Sequence, residues 1–419
     1  MLAACTGDAG REGRDTPMGR VDSWGVNRTV IALSVARLGD AIGNSTLFIA
    51  LPLYVAKLPD PLIQVEESVR VGLLLSLYGL VASVLQSFAG AWSDRLGRRK
   101  PLILAGLAVM CAGTLGFLLA TRFLDLLLLR MLQGIGVALT IPTSMALMAV
   151  ATRRETRGSS MAIYSTMRMV GFAGGPLISG LLLVTVGFAS VFVAGAAFVL
   201  LGLIIVMLWV KEPPMPEKAA PTGRFLIFDP KLLNPGIVGA GLATFLMASS
   251  FSMMTTLEKQ FNERLDQTAL GFSVAFSALM ISRLVFQVPL GRLSDRIGRK
   301  PLLIGGLVLM GPATALLGLV TTTVQLTGVR LVQGLAAGAI AAPAFAVAAD
   351  LASSGGEGRQ MSVVTIGFGL GLALGPLIAG VLALHSFEMP FMIGGLMCLF
   401  GAWVVMHCVP ETVRRGKTE

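Results

Sequence analysis

One stretch of this chain is written twice. GAWSDRLGRRKPL, beginning at Gly90, returns as GRLSDRIGRKPL at Gly291, close to half the length of a 419-residue chain later. Two further pairs keep nearly the same offset. Arg130-Met-Leu-Gln133-Gly134 is matched by Arg330-Leu-Val-Gln333-Gly334, and Gly175-Pro176-Leu-Ile-Ser-Gly180 by Gly375-Pro376-Leu-Ile-Ala-Gly380. Chance supplies one such match; three at a constant spacing make two homologous halves. Each copy of the loop sits between long apolar runs, so what the first half folds into, the second must repeat.

Those runs decide the solvent. Hydrophobic residues supply 54% of the chain and charged residues 13%, with mean hydropathy +0.79. A soluble domain carries about 25% charged residues, so this chain has too little polar surface for water and is an integral membrane protein. Crossing the hydrocarbon takes roughly 20 apolar residues. The spans read as 29–57, 71–92, 101–121, 123–151, 159–185 and 187–210, then 236–259, 269–291, 301–321, 325–351, 361–384 and 388–409. The expected fold is an all-α membrane protein with twelve transmembrane helices in two pseudo-symmetric six-helix bundles, 29–210 and 236–409. Residues 1–28 read as a disordered cytoplasmic tail, 211–235 as a cytoplasmic linker and 410–419 as a cytoplasmic tail.

The net charge of +10 acquires meaning from where it falls. With both termini inside, cytoplasmic segments hold 23 of the 33 Lys and Arg, outer loops hold 5 (Lys57, Arg70, Arg122, Lys259, Arg264) and span interiors hold 5. That asymmetry follows the positive-inside rule. It places a multi-pass protein in the plasma (inner) membrane and turns the basic charge toward anionic lipid, not nucleic acid. The four cysteines show no metal-ligand or redox spacing. The two histidines, His385 and His407, stand near span ends without a nucleophile or ligand set, so neither an enzyme nor a cofactor or metal site is expected.

In the repeated loop, Gly90 and Gly291 let the preceding helix approach a neighbour, and Gly97 and Gly298 allow a tight turn. Asp94 and Asp295 accept from helix N-termini or from the loop arginines Arg95, Arg98, Arg296 and Arg299, which makes the loop a charge latch, or cytoplasmic gate. This loop resembles the signature of the major facilitator superfamily, and the twelve spans and duplicated halves extend that resemblance over nearly the whole chain. It implies a secondary transporter working by alternating access, usually as a monomer. Arg130, Gln133, Gly134 and Gly136 match the Arg-x-x-Gln-Gly-x-Gly pattern of its proton-coupled members. Gly171, Gly175, Pro176 and Gly180 look like the antiporter motif of its twelve-helix drug:proton antiporters, with Ser179 in place of one glycine. Those matches imply export of a small organic compound in exchange for protons. Pro410-Glu411-Thr412 resembles the ending of the sugar porters and keeps an uptake symporter, for a sugar-like compound or an organic anion, as the alternative. A receptor that binds without moving solute is a third.

Ionisable groups inside a membrane are costly and point to function. They are Arg37 and Asp40 in span 1, Arg130 in span 4, Arg168 in span 5, Arg283 in span 8 and Arg330 in span 10. At about 1.5 Å per residue, Asp40 lies roughly 18 Å from the inner edge and Arg130 roughly 20 Å, so the two are level and placed to pair. Arg37, one turn from Asp40, is an equally good partner. A carboxylate whose arginine partner moves changes its proton affinity, the minimum device for proton coupling. Five interior arginines against one mid-membrane carboxylate favour an anionic, zwitterionic or polar substrate over a cation. Asn44, Gln86, Arg168, Ser249, Met253, Arg283, Gln287 and Arg330 are the candidate cavity residues.

Overall fold

The computed structural model describes residues 27–58, 65–96, 98–152, 156–212, 234–352 and 357–413. Most of the expected N-terminal tail, most of the linker and the last six residues lie outside them. The first half holds α1 (Arg28–Val55), α2 (Glu67–Leu96), α3 (Lys100–Gly116), α4 (Phe123–Ala151), α5 (Arg157–Thr185) and α6 (Phe188–Trp209). The second holds α7 (Pro235–Thr256), a short α8 (Glu258–Arg264), α9 (Ala269–Ile297), α10 (Arg299–Leu316), α11 (Thr323–Asp350), α12 (Glu357–Leu382) and α13 (Met389–Cys408). Eleven of these helices are long and apolar enough to cross a membrane. The twelfth, α10, is the counterpart of α3 and packs between α11 and α13.

Duplication in sequence becomes duplication in packing. In the first half α1 packs on α5 and α6, α4 on α2 and α3, and α3 on α6. The second half repeats each of those pairings, with α7 on α12 and α13, α11 on α9 and α10, and α10 on α13. Even the caps are copied. Asp125 accepts from the Thr121 and Arg122 backbone N–H groups at 2.9 Å, and Gln325 accepts from the Thr321 N–H at 2.9 Å. These carboxylate and amide oxygens satisfy donors at a helix start that the helix leaves unpaired.

The outward sides of α6 and α13 carry Leu201, Leu208, Leu396, Phe400 and Trp403, all exposed, as lipid-facing helices require. Helix α7 stops earlier than the apolar run to residue 259 predicts. The chain leaves helical geometry at Leu257, where the sequence turns polar, and restarts as α8. There Phe261 plugs into Phe272, Phe387 and Phe391 with centroid spacings of 6.0, 4.8 and 5.5 Å.

The two ends of the bundle differ. At the face opposite the repeated loops (the far face), one apolar core runs through both halves, from Leu47, Leu51 and Leu74 to Phe251, Phe261 and Phe276. At the loop-bearing face (the motif face), each half has a core of its own, around Val30, Leu107 and Val206 in one and Ile237, Leu307 and Val405 in the other. The halves meet through α2 against α12 and α5 against α9, two contacts that the pseudo-symmetry exchanges.

Candidate functional site

Far-face closure depends on close backbone approach. A Cβ on Gly380 would meet the Ser68 carbonyl oxygen of α2 at 2.4 Å, and one on Gly180 would meet Ser273 Oγ at 2.4 Å and Leu270 Cα of α9 at 2.9 Å. Across the same seam Ser68 Oγ donates to the Gly380 carbonyl at 3.0 Å, and Lys259 Nζ to Glu67 at 2.8 Å. The other glycines of the span 5 motif act within their half. Gly171 and Gly175 bring α5 onto α1, where a Cβ at 175 would meet Ser45 Oγ and the Ile42 carbonyl. Pro176 follows them inside the same helix.

At the motif face, the second loop is held inside its own half. Arg299 bonds Asp295 at 3.2 Å and Asp350 at 2.6 Å. Gly298 makes the turn with φ 114°, in the left-handed region open to glycine. Glu411 accepts from the Arg299 and Lys300 backbone N–H groups at 3.0 and 3.2 Å. Burial works against that carboxyl's charge, but the backbone N–H of Val413, at 3.0 Å, together with those of Arg299 and Lys300 holds it below the usual glutamate range. Glu212 caps α3, accepting from the Lys100 N–H at 3.3 Å and from the Arg99 N–H. The Pro410-Glu411-Thr412 ending therefore has a local task here, as a helix cap.

Of the first loop, Gly97 and the side chains of Asp94 and Arg95 lie outside the described residues, while Arg98 is exposed, as is Arg296, the counterpart of Arg95. Gly90 and Gly291 have more room than expected. A Cβ would find Pro142 Cβ at 3.8 Å or Ala342 Cβ at 3.4 Å, ordinary contacts, because the halves keep separate cores at this face.

Midway between the faces, Asp40 is 3% exposed. It is ion-paired to Arg37 on its own helix, and the Arg168 charge also acts on it. Arg130 is turned elsewhere, which corrects the expected Asp40–Arg130 pair. Its Nη1 donates to Gln133 Oε1 at 3.2 Å and to Asn44 Oδ1 at 3.4 Å, while Asn44 Nδ2 donates to the Tyr78 hydroxyl at 2.6 Å. Asn44 and Gln133 offer Arg130 neutral acceptors instead. Arg37 also lies 5.8 Å from the Tyr164 ring centroid.

Arg330 repeats the Arg130 arrangement. Its Nη1 donates to Gln333 Oε1 at 2.9 Å and to the Phe251 carbonyl at 3.3 Å. Each glutamine then donates to a threonine, Gln133 to Thr114 at 2.8 Å and Gln333 to Thr314 at 3.1 Å. Both arginines are fully buried.

The other two interior arginines have no such copies. Arg168 of α5 and Arg283 of α9 stand over one aromatic ring, Phe368 of α12, at 5.8 and 5.5 Å from its centroid. Arg283 Nε donates to Gln287 Oε1 at 3.4 Å. Gln86, the counterpart of Gln287, is half-buried on α2. Ser249 and Met253 are drawn into the second half's own packing. The Ser249 hydroxyl donates to the Gly371 carbonyl at 3.2 Å, and Met253 Sδ lies 3.0 Å from where a Gly394 Cβ would be.

Sequence reasoning passed over Tyr78, Phe368, Thr114 and Thr314, and also Glu258, a fully buried carboxylate beyond the end of α7. Thr114 and Thr314 carried a signal, because they keep the repeat's offset. Phe368 carried none, since phenylalanine is the common residue of an apolar span.

The model of the family described as Major Facilitator Superfamily matches residues 33–272 and 236–419 of the chain. The multidrug resistance protein MdtG of Enterobacter lignolyticus (strain SCF1) is 27% identical over 388 residues, covering 91% of each protein. The synaptic vesicular amine transporter of Homo sapiens is 28% identical over 326 residues, covering 76% of this chain and 62% of that one. A bacterial homologue of the human lysosomal transporter Spinster, solved in an inward-facing and occupied conformation, aligns with a TM-score of 0.75. It is 16% identical over 90% of this chain and 95% of that one, a likeness of fold. Duplicated halves, the same helix pairings in each and family matches spanning both lead to one conclusion: this multi-pass membrane protein is a transporter of the Major Facilitator Superfamily.

Proposed function

We propose that the protein is a proton-coupled exporter of a small organic compound. In this reading it works as a monomer in the plasma membrane, with both termini cytoplasmic, by alternating access between bundles 29–210 and 236–409. The observation that carries it is the Asp40–Arg37 pair on α1, whose carboxylate is buried. A carboxylate held in a dry site by a movable cation takes up a proton when that cation leaves. Export draws support from the span 5 glycines and from the similarity to a protein named for multidrug resistance. The vesicular amine transporter, by its name, also handles an organic compound.

Alternating access supplies a use for the roomy glycines. With the motif face cytoplasmic, the described conformation is closed outside and parted inside. Gly90 and Gly291 then come close to a neighbour when the cytoplasmic face shuts, with the Asp94 and Asp295 loops latching it.

One observation favours the second reading, co-transport of proton and solute. The Arg168 charge acts on Asp40 and also stands at the Phe368 ring. A solute anion that draws Arg168 away leaves ionised Asp40 less stabilised, so anion and proton bind cooperatively. Proteoliposomes separate the two. Accumulation of a tested organic compound driven by an acidic lumen supports export by exchange; accumulation driven by acid outside supports co-transport. Accumulation indifferent to both gradients contradicts proton coupling.

A further inference from the structure

The five interior arginines divide into scaffold and surplus. Arg130 and Arg330 occupy equivalent places, are wholly buried and share the same Gln–Thr relay, so the duplicated architecture accounts for them. Arg37 is accounted for by Asp40. Arg168 and Arg283 are unlike these. The repeat's offset places Phe368 opposite Arg168 and Ala82 opposite Arg283, so neither cation is copied. They come from opposite halves, from α5 and α9, yet meet at one ring, and the Arg283 charge acts unfavourably on Arg168, as does that of Arg37.

Like charges brought together in a low-dielectric site are costly. Among the described residues Arg283 has a neutral amide, Gln287, for its bond, and the one carboxylate acting on Arg168 is Asp40, already bonded to Arg37. A solute anion would relieve that repulsion. Two guanidinium groups present forked donors suited to carboxylate, sulfonate or phosphate oxygens, and the Phe368 ring beside both offers an apolar surface for an attached ring or chain.

We propose that Arg168 and Arg283 bind the anionic group of the transported compound, with Phe368 receiving its apolar part, so that the substrate class is an amphipathic organic anion. The inference rests on the transport reading but on neither direction of it. The cations belong to different halves, so an anion held by both would tie the bundles together at the site about which they rock.

The test uses a matched pair of probes on the purified full-length protein, naphthalene-2-sulfonate and 2-naphthylmethylammonium, with binding read by titration calorimetry. The wild type is expected to bind the sulfonate about tenfold or more tightly than the ammonium. Arg168→Gln and Arg283→Gln should each weaken sulfonate binding about tenfold. Arg168→Lys and Arg283→Lys, which keep the charge and guard against a folding defect, should fall between. Phe368→Leu should weaken the naphthalene sulfonate but spare methanesulfonate. Equal binding of the two probes by the wild type overturns the proposal, as does no binding of the sulfonate, or sulfonate affinity within about twofold of wild type in both glutamine variants. Arg-dependent sulfonate binding without flux of any compound would leave this site standing and sink the transport reading. Flux confined to cations and unchanged in Arg168→Gln would do the reverse.

Discussion

Asp40 gives its carboxylate to Arg37, one turn back on the same helix, while Arg130 faces Asn44 and Gln133. The pair is therefore local to α1 and does not depend on how α4 sits. What moves the pair apart must be a change around α1, where the Arg168 charge also acts on Asp40. Breaking a buried ion pair from one side leaves the other charge stranded, at a cost of about 3–5 kcal/mol. Arg37→Gln should accordingly lower the thermal midpoint of the purified protein by several degrees, and Arg37→Gln with Asp40→Asn should restore most of the loss. A double variant no more stable than Arg37→Gln would count against the pairing.

The Arg–Gln–Thr relays supply a paired prediction. Gln333→Leu removes the shorter of Arg330's two bonds, at 2.9 Å, in a site closed to water, which should cost about 2–3 kcal/mol. Thr314→Val removes the outer bond of the relay and should cost about 1 kcal/mol. The same order should hold for Gln133→Leu and Thr114→Val. Denaturant or thermal unfolding in detergent measures both.

Glu258 reports on the far face. It is fully buried, and neither carboxyl oxygen has a hydrogen-bond partner among the described residues. Burial holds its carboxyl well above the usual glutamate value of 4.5. Above that value the unfolded chain releases a proton that the folded protein keeps. Stability should fall as pH rises from about 4.5 to the raised value in the fold, then level off. Glu258→Gln should flatten this dependence and raise the thermal midpoint at pH 7. An unchanged pH profile in the variant would show that another group is responsible.

Glycine contacts predict opposite shifts at the two faces. Gly380→Ala puts a Cβ against the Ser68 carbonyl and should open the far face, raising maleimide labelling of cysteines introduced there several-fold. Gly90→Ala adds a Cβ that meets only Pro142 Cβ, at 3.8 Å, in this conformation and should leave far-face labelling low, while slowing transport if the motif face must shut in each cycle. Equal labelling in wild type and Gly380→Ala would contradict the role given to that contact.

Much of this architecture was legible before any coordinates. The constant offset of the loop, the Arg-x-x-Gln pairs and the Gly-Pro pairs carried the duplication, because helices that must bury the same faces keep the same residues. The site was legible only in part. Depth put Asp40 and Arg130 at one level, with Arg37 one turn from Asp40, but depth says nothing of where a side chain points, and Arg130 turns to Asn44. Ser249 and Met253 look like cavity residues by type, yet the face of α7 that bears them packs on α12 and α13. Glu258 was passed over because it stands at the end of the run read as 236–259, beside Lys259, where a charge looks solvated. Phe368 became visible only when α5, α9 and α12 were brought together.

Proton movement through Asp40 is tested most directly by lumenal pH in proteoliposomes loaded with pyranine, read as a substrate is added to the wild type and to Asp40→Asn. The account predicts a lumenal pH change with the wild type and at least a tenfold smaller one with the variant, which should still exchange labelled for unlabelled substrate. A variant that shifts lumenal pH as the wild type does would contradict it.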